Sequence, residues 1–65
     1  MIINGTIIED VFMFTTIKDI ACESGIIDTN TIVEVYKELY DKTDAQGKSW
    51  NCKMIDELLS KKQVI

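Results

Sequence analysis

Apolar side chains recur with the period of an α-helix between residues 30 and 42, and this pattern constrains the fold more than any other feature. A spacing of i, i+3, i+4, i+7 relates four of them: Ile32, Val35, Tyr36 and Leu39. The opposite face is polar and mostly acidic: Glu34, Lys37, Glu38 and Asp41. A helix of this kind buries one side and exposes the other. We therefore predict an amphipathic helix over residues 30–42. Four residues in a row are possible N-caps, namely Asp28, Thr29, Asn30 and Thr31, and Thr31 is preferred because Glu34 completes a capping box.

A shorter helix is predicted immediately before it, ending at Gly25. Thr16 is its candidate N-cap, since Asp19 lies three residues later, where a negative charge favours the positive end of the helix dipole. The buried stripe of this helix is predicted to consist of Ile17, Ile20 and Ala21. Gly25 ends the helix because glycine adopts the left-handed conformation without strain. Residues 16–40 are thus predicted to form a helix, a glycine turn and a second helix.

The residues at this corner follow a definite order: Thr16-Ile17-Lys18-Asp19-Ile20-Ala21, then Glu23, then Gly25-Ile26 and Thr31-Ile32. Over residues 16–39 this order resembles the N-terminal helix-turn-helix of DNA-binding regulators of the lactose-repressor type. The resemblance implies two helices that cross closely at Ala21 and Gly25, the second of which contacts DNA. The stretch between Gly25 and Thr31 is one residue longer than is usual in that family.

The charge of the chain disfavours DNA as the ligand of this corner. Seven lysines stand against eleven acidic residues, arginine and histidine are absent, and the formal net charge is −4. DNA affinity arises mainly from phosphates that basic side chains neutralise, and acidic side chains on the second helix would repel those phosphates. Residues 1–47 carry three lysines and nine acids (net −6), and residues 48–65 carry four lysines and two acids (net +2). An acidic body with a weakly basic tail suits a basic protein surface better than nucleic acid.

Residues 1–14 allow two interpretations. Asn4-Gly5 between two pairs of isoleucines is a hairpin signal, because both residues accept the positive φ of a tight turn. Thr6 and Glu9 instead form a capping box ahead of an apolar run, which favours a helix. We predict the helix and keep a short β element as the alternative. In either case this segment lies in the core or at an interface.

The C-terminal part of the chain completes a small helical bundle. A polar loop that contains a glycine spans residues 42–48, and Ser49 is predicted to cap a last helix that ends near Lys61. Trp50 in its first turn is expected to hold the loop against the core. The buried residues of this helix are predicted to be Met54, Ile55, Leu58 and Leu59. We expect residues 63–65 to fray. The predicted fold is mostly α, a single domain built as a bundle of three to four helices.

No arrangement of side chains predicts catalysis or ligand chemistry. Cys22 and Cys52 form no CxxC pair, and the chain has no histidine to complete a zinc site or to activate a thiol. We interpret both cysteines as reduced core residues of a cytoplasmic protein. No segment approaches the roughly 20 apolar residues that cross a membrane. We accordingly expect no catalytic residue, cofactor, metal or membrane contact, and we do not expect an enzyme.

Binding to another macromolecule is the remaining activity. We predict a small acidic interaction module that acts as an inhibitor, adaptor or regulator of a basic partner protein, of the kind that processes nucleic acid. Exposed acids and an aromatic side chain at the edge of the apolar stripe are suited to such an interface. The residues predicted to bind the partner are Asp28, Glu34, Glu38, Tyr40 and Asp41. Two alternatives stay open: a dimeric helix-turn-helix DNA-binding regulator, and a homo-oligomeric structural subunit joined through the apolar N-terminal segment.

Overall fold

Residues 1–63, which the computed structural model describes, form a β-hairpin followed by three α-helices. The elements are β1 (Ile2–Ile3), β2 (Thr6–Ile7), α1 (Val11–Glu23), α2 (Thr29–Lys42) and α3 (Cys52–Gln63). A 3₁₀ turn, Asp44–Gln46, lies between α2 and α3. The chain is thus mostly helical, as predicted. Gln63, one of the three residues expected to fray, belongs to α3. The other two, Val64 and Ile65, lie outside the described residues.

One hydrophobic core joins the three helices to the end of the hairpin. α2 is its central element, since it packs more extensively against α1 and against α3 than these two helices pack against each other. The buried residues of α2 are Ile32, Val33, Val35, Tyr36 and Leu39. The other helices contribute Met13, Phe14, Ile17 and Ala21 from α1, and Ile55, Leu58 and Leu59 from α3. The predicted amphipathic helix is confirmed, and its apolar side organises the packing of the other two helices.

The connection between α1 and α2 turns at Gly25. This glycine has φ +86°, the left-handed conformation predicted for the end of the first helix. The amide of Ile26 donates to the Ala21 carbonyl at 2.8 Å, and the Gly25 amide donates to the Cys22 carbonyl at 3.1 Å. These bonds satisfy carbonyl groups that the last turn of a helix otherwise leaves without partners. The corner therefore has the predicted order of helix, glycine turn and helix.

The chain before Asp10 forms a hairpin, so the helix predicted over residues 1–14 is wrong there and its alternative, a short β element, is observed. Asn4 and Gly5 have φ +50° and +78°, the two positive values that a two-residue turn needs. The cross-strand pairs are Ile2 with Ile7 and Ile3 with Thr6. Because Thr6 belongs to this ladder, it does not serve as the first residue of a capping box.

α1 begins at Val11 rather than after Thr16, and its N-cap is Asp10. The Asp10 carboxylate accepts a hydrogen bond from the Met13 amide at 2.9 Å. Thr16 lies in the middle of the helix, where its hydroxyl donates to the Phe12 carbonyl at 2.9 Å. A threonine that bonds back to its own helix in this way is compatible with continued helical structure. The predicted break between two N-terminal helices therefore does not occur.

The N-caps of the other two helices also differ from the preferred ones, although Asp28 was among the four candidates for α2. At α2 the Asp28 carboxylate accepts from the hydroxyl of Thr31 at 3.2 Å and from an amide of the first turn. Thr31 is thus inside the helix. At α3 the side-chain oxygen of Asn51 accepts from the Met54 amide at 3.0 Å, two residues after the predicted cap Ser49. Each cap satisfies amide groups that have no partner within the first turn of a helix.

Both cysteines are exposed, so their assignment to the core is wrong. Ala21 takes the core-facing position of α1, and Cys22, one residue further, is rotated by about 100° towards solvent. Cys52 opens α3 one turn before its first buried residue. Trp50, in contrast, packs against the core as predicted, and its ring centroid lies 5.9 Å from that of Phe12.

Replacing the N-cap of α1 tests these helix boundaries. Asp10→Ala is expected to lower the free energy of unfolding by about 1 kcal/mol, because an amide of the first turn loses its acceptor. The matched control is Thr16→Ala, at the predicted cap that the helix does not use, with an expected change below about 0.5 kcal/mol. Urea denaturation followed by circular dichroism measures both. A larger loss for Thr16→Ala than for Asp10→Ala would contradict the observed start of α1.

Candidate interaction surface

Three acidic side chains lie together on the exposed side of α2. Glu34, Glu38 and Asp41 are spaced by four and three residues, which places them within about 60° of one another around the helix. We call these three residues the acidic stripe. Glu34 and Asp41 are exposed and Glu38 is half-buried. The spacing predicted this grouping, and the structure brings the three residues together.

A lysine from α3 lies beside the acidic stripe. The Lys62 ammonium is 3.0 Å from a carboxylate oxygen of Glu38 and 3.6 Å from one of Glu34. The hydrogen bond to Glu38, with smaller contributions from both carboxylate charges, raises the pKa of Lys62. An exposed pair of this kind contributes little to stability because water and salt screen it. Lys37 lies on the same exposed side of α2, so three carboxylates and the ammonium groups of Lys37 and Lys62 leave this part of the surface with a net charge of −1.

Two residues predicted to bind the partner lie apart from the stripe. Asp28 is exposed at the start of α2, where its carboxylate caps the helix. Tyr40 lies on the other side of α2, with its ring stacked on that of Tyr36 at a centroid distance of 5.6 Å. Its hydroxyl donates to a carboxylate oxygen of Glu9. Of the five predicted residues, the structure therefore brings only the three of the stripe together.

Tyr36 and Tyr40 fasten the segment between the hairpin and α1. The Tyr36 hydroxyl accepts hydrogen bonds from the amides of Glu9 and Asp10, each at 3.0 Å. A hydrogen bond between the Asp10 and Asp44 carboxyl groups lowers the pKa of Asp10 and raises that of Asp44. The only sequence signal for these contacts is the position of Tyr40 at the edge of the apolar stripe.

The Tyr40 phenol should ionise at unusually high pH. Its hydrogen bond to Glu9, together with burial and nearby negative charges, raises the pKa of Tyr40 from 10.0 to about 12. Because the folded state favours the neutral phenol, this contribution to stability is present below pH 10 and is lost as the pH rises through 12. Titration of the tyrosine ring resonances by NMR measures this. Glu9→Ala is expected to move the pKa back towards 10, whereas Glu23→Ala should not.

Several large apolar side chains near the N-terminus are exposed. We call this group the N-terminal apolar surface: Met1 (58% exposed), Ile2 (69%), Ile7 (66%), Val11 (48%) and Phe12 (73%). Ile2 and Ile7 stand directly opposite each other on the hairpin. Their neighbours Ile3 and Ile8 point inward and pack on or in the core. The sequence prediction that this segment belongs to the core or to an interface left open which of its residues would be exposed.

Two clefts on the described surface are small. A cleft of about 190 Å³ is lined by Ile3, Phe14, Lys18, Thr29 and Ile32, and another of about 70 Å³ lies along α3. Both are smaller than the roughly 300–1,000 Å³ of typical small-molecule sites. Within residues 1–63 no three acidic or cysteine side chains are grouped closely enough to hold a metal ion. No helix in the same range has the length and hydropathy needed to cross a bilayer.

Two surfaces therefore carry the chemistry that a partner could recognise. The acidic stripe offers exposed carboxylates on a helix that the core holds in place, and the N-terminal apolar surface offers large side chains without polar atoms. No protein-family model, curated protein or solved structure matches the chain.

Proposed function

We propose that this chain is a protein-binding module that acts as an inhibitor, adaptor or regulator of a partner with a basic surface. The observation that carries the proposal is the acidic stripe, formed by Glu34, Glu38 and Asp41 on the solvent side of α2. Complementary charge of this kind steers a basic protein towards the stripe and selects against acidic ones. Two exposed free cysteines are compatible with a reducing compartment, and we place the activity in the cytoplasm.

The stripe is supported from behind by the core. Val35, Tyr36 and Leu39 are nearly inaccessible to solvent on the opposite side of the same helix. The backbone that carries the carboxylates is therefore fixed before a partner arrives, which lowers the entropic cost of binding. A lysine or arginine of the partner can approach Asp41 directly. It can also share Glu34 and Glu38 with Lys62, because an exposed ion pair is readily exchanged.

The same stripe supports a protein partner over DNA. In the helix-turn-helix interpretation α2 is the helix that contacts the duplex, and its exposed side would bring the acidic stripe towards the phosphates. Each carboxylate there opposes the phosphate contacts from which most DNA affinity arises. We therefore propose DNA binding only as the alternative. A shift of duplex DNA in a mobility assay at low salt, abolished by added salt, would favour that alternative.

Charge reversal in the stripe tests the proposed function. The first bait is a double variant of the stripe that carries both Glu34→Lys and Glu38→Lys. Its matched control is a double variant of α3 that carries both Asp56→Lys and Glu57→Lys. All four positions lie at the surface, and both variants change the charge by the same amount. Each protein is used for affinity capture from a lysate of the native host, with mass spectrometry of the bound fraction.

We expect wild type and the α3 control to retain a basic protein that the stripe variant loses. About 1 M NaCl should release it, because the Debye length is then about 3 Å. Circular dichroism checks that both variants remain helical. Equal retention of the basic protein by the stripe variant and the α3 control would contradict a role for the acidic stripe. So would a captured protein that high salt does not release.

A further inference from the structure

The larger of the two clefts lies where the hairpin, α1 and α2 meet. Its walls are mostly apolar and consist of Ile3 from β1, Phe14 from α1 and Ile32 from α2. The last two belong to the core, and Ile3 packs against it. The volume of the cleft is about 190 Å³. Since an apolar cavity of about 150 Å³ takes up benzene, this cleft has room for an apolar group of about six to eight non-hydrogen atoms.

Two polar side chains complete the lining of this cleft, Lys18 from α1 and Thr29 from α2. Within residues 1–63 no carboxylate lies within ion-pair distance of the Lys18 ammonium. The nearby Asp28 does not line the cleft, and its carboxylate is engaged with the Asn30 amide and the Thr31 hydroxyl. Apolar walls with a few convergent polar groups are the usual composition of a ligand site. A free ammonium beside such walls selects a ligand that is both apolar and negatively charged.

The walls of the cleft are held in place before a ligand enters. The Asn4 side-chain amide donates to the side-chain oxygen of Asn30 at 2.6 Å, which joins the hairpin turn to the first turn of α2. Each asparagine is next in sequence to a lining residue, Ile3 or Thr29. The other apolar walls belong to the buried core. A site that is already formed requires little ordering on binding, which favours affinity.

We propose that this cleft binds a small carboxylate with an apolar tail, of the size of a short fatty acid or an arylacetate. The tail lies between Ile3, Phe14 and Ile32. The carboxylate pairs with the Lys18 ammonium and accepts a hydrogen bond from the Thr29 hydroxyl. One ammonium balances one negative charge, and the chain already carries a net charge of −4. A monoanion is therefore favoured over a phosphate monoester, whose charge is about −1.5 to −2 at neutral pH.

The cleft is separate from the acidic stripe. None of the three stripe residues lines it. Ile32 precedes Glu34 by two residues and therefore lies about 160° from it around α2. The stripe variant, which carries both Glu34→Lys and Glu38→Lys, should bind a carboxylate as wild type does, whether or not it loses a basic partner. Failure of one proposal therefore leaves the other standing.

An amide NMR titration with phenylacetate tests this site, at neutral pH and constant ionic strength. We expect saturable shift changes at Phe14, Lys18, Thr29 and Ile32, with a dissociation constant in the millimolar range, as a ligand of about ten non-hydrogen atoms allows. The uncharged analogue 2-phenylethanol should bind about threefold more weakly, which is the effect expected of an exposed ion pair. Acetate, which has the charge but no ring, should cause no saturable change at these residues.

Matched variants identify the residues that hold the ligand. Lys18→Gln should bind phenylacetate and 2-phenylethanol equally, whereas Lys37→Gln, at an exposed lysine of α2, should retain the preference for phenylacetate. Ile3→Ala should weaken the binding of both compounds about threefold or more, because part of an apolar wall is lost. Its control is Ile2→Ala, at the exposed neighbouring position of the same strand, which should leave both dissociation constants unchanged.

Several outcomes would overturn the proposed site. One is the absence of saturable shift changes at the lining residues with tens of millimolar phenylacetate. Another is equal affinity of wild type for phenylacetate and 2-phenylethanol, or a preference that Lys18→Gln retains. Equal losses for Ile2→Ala and Ile3→Ala would also place the ligand elsewhere on the molecule.

Discussion

Leu39→Ala is expected to leave most molecules unfolded at room temperature. Leu39 is completely buried in α2, the helix with the most extensive packing against the other two. Removing a buried leucine side chain costs about 2–5 kcal/mol, because apolar burial is lost and a cavity remains. A single core in a chain of this length rarely provides more than about 3–5 kcal/mol. Far-ultraviolet circular dichroism in a urea titration should show little or no folded baseline.

An exposed position on the same helix provides the control. Lys37→Ala, two residues before Leu39, should change the free energy of unfolding by less than about 0.5 kcal/mol. Both variants share the same helix and the same replacement residue, so the difference between them measures burial. A cooperative transition for Leu39→Ala within about 1 kcal/mol of wild type would contradict the packing of α2 at the centre of the core.

Tyr36→Phe is expected to destabilise the junction between the hairpin and α1. The substitution removes the one oxygen that accepts from the amides of both Glu9 and Asp10. Two partly buried donors are then left without this partner, at a cost of about 1–3 kcal/mol for each one that water does not reach. We expect a total loss of about 2 kcal/mol in urea denaturation, and faster hydrogen exchange at the two amides.

Tyr40→Phe separates the Tyr36 effect from the general loss of a hydroxyl group. Tyr40 is only partly buried, and its hydroxyl makes one hydrogen bond, to an exposed Glu9 side chain. Its replacement should cost less than about 1 kcal/mol and should leave the exchange of the Glu9 and Asp10 amides nearly unchanged. Equal losses for the two variants would show that the Tyr36 hydroxyl does not hold this junction.

The sequence was informative where local spacing decides the structure. The apolar period over residues 30–42 predicted α2 and its buried side, and Gly25 marked the turn before it. Helix starts were less predictable, because several residues in a row could serve as N-caps. Asp10 rather than Thr16 caps α1, and the amide of Asp10 also donates to the Tyr36 hydroxyl. Because Tyr36 lies more than twenty positions away, no local sequence pattern indicates this contact.

Within the candidate site, local spacing likewise predicted some neighbours and missed others. The three residues of the acidic stripe share a face because they lie on one helix, and their spacing alone predicted this. Tyr40 joins Glu9 instead, across 31 positions of the chain, which the sequence does not encode locally. The hairpin shows a further limit: Ile2 and Ile3 are chemically equivalent, and only the packing of the hairpin on the core decides which of them is exposed.

An amide NMR titration tests the central claim most directly, namely that the acidic stripe is where a basic partner binds. The isotope-labelled chain is titrated with the basic protein recovered by capture, at moderate salt. We expect the largest shift changes at Glu34, Glu38 and Asp41 and at the neighbouring Lys62, with none at buried Ile17. Changes centred on residues 1–12, with the α2 signals unmoved, would contradict the proposed function.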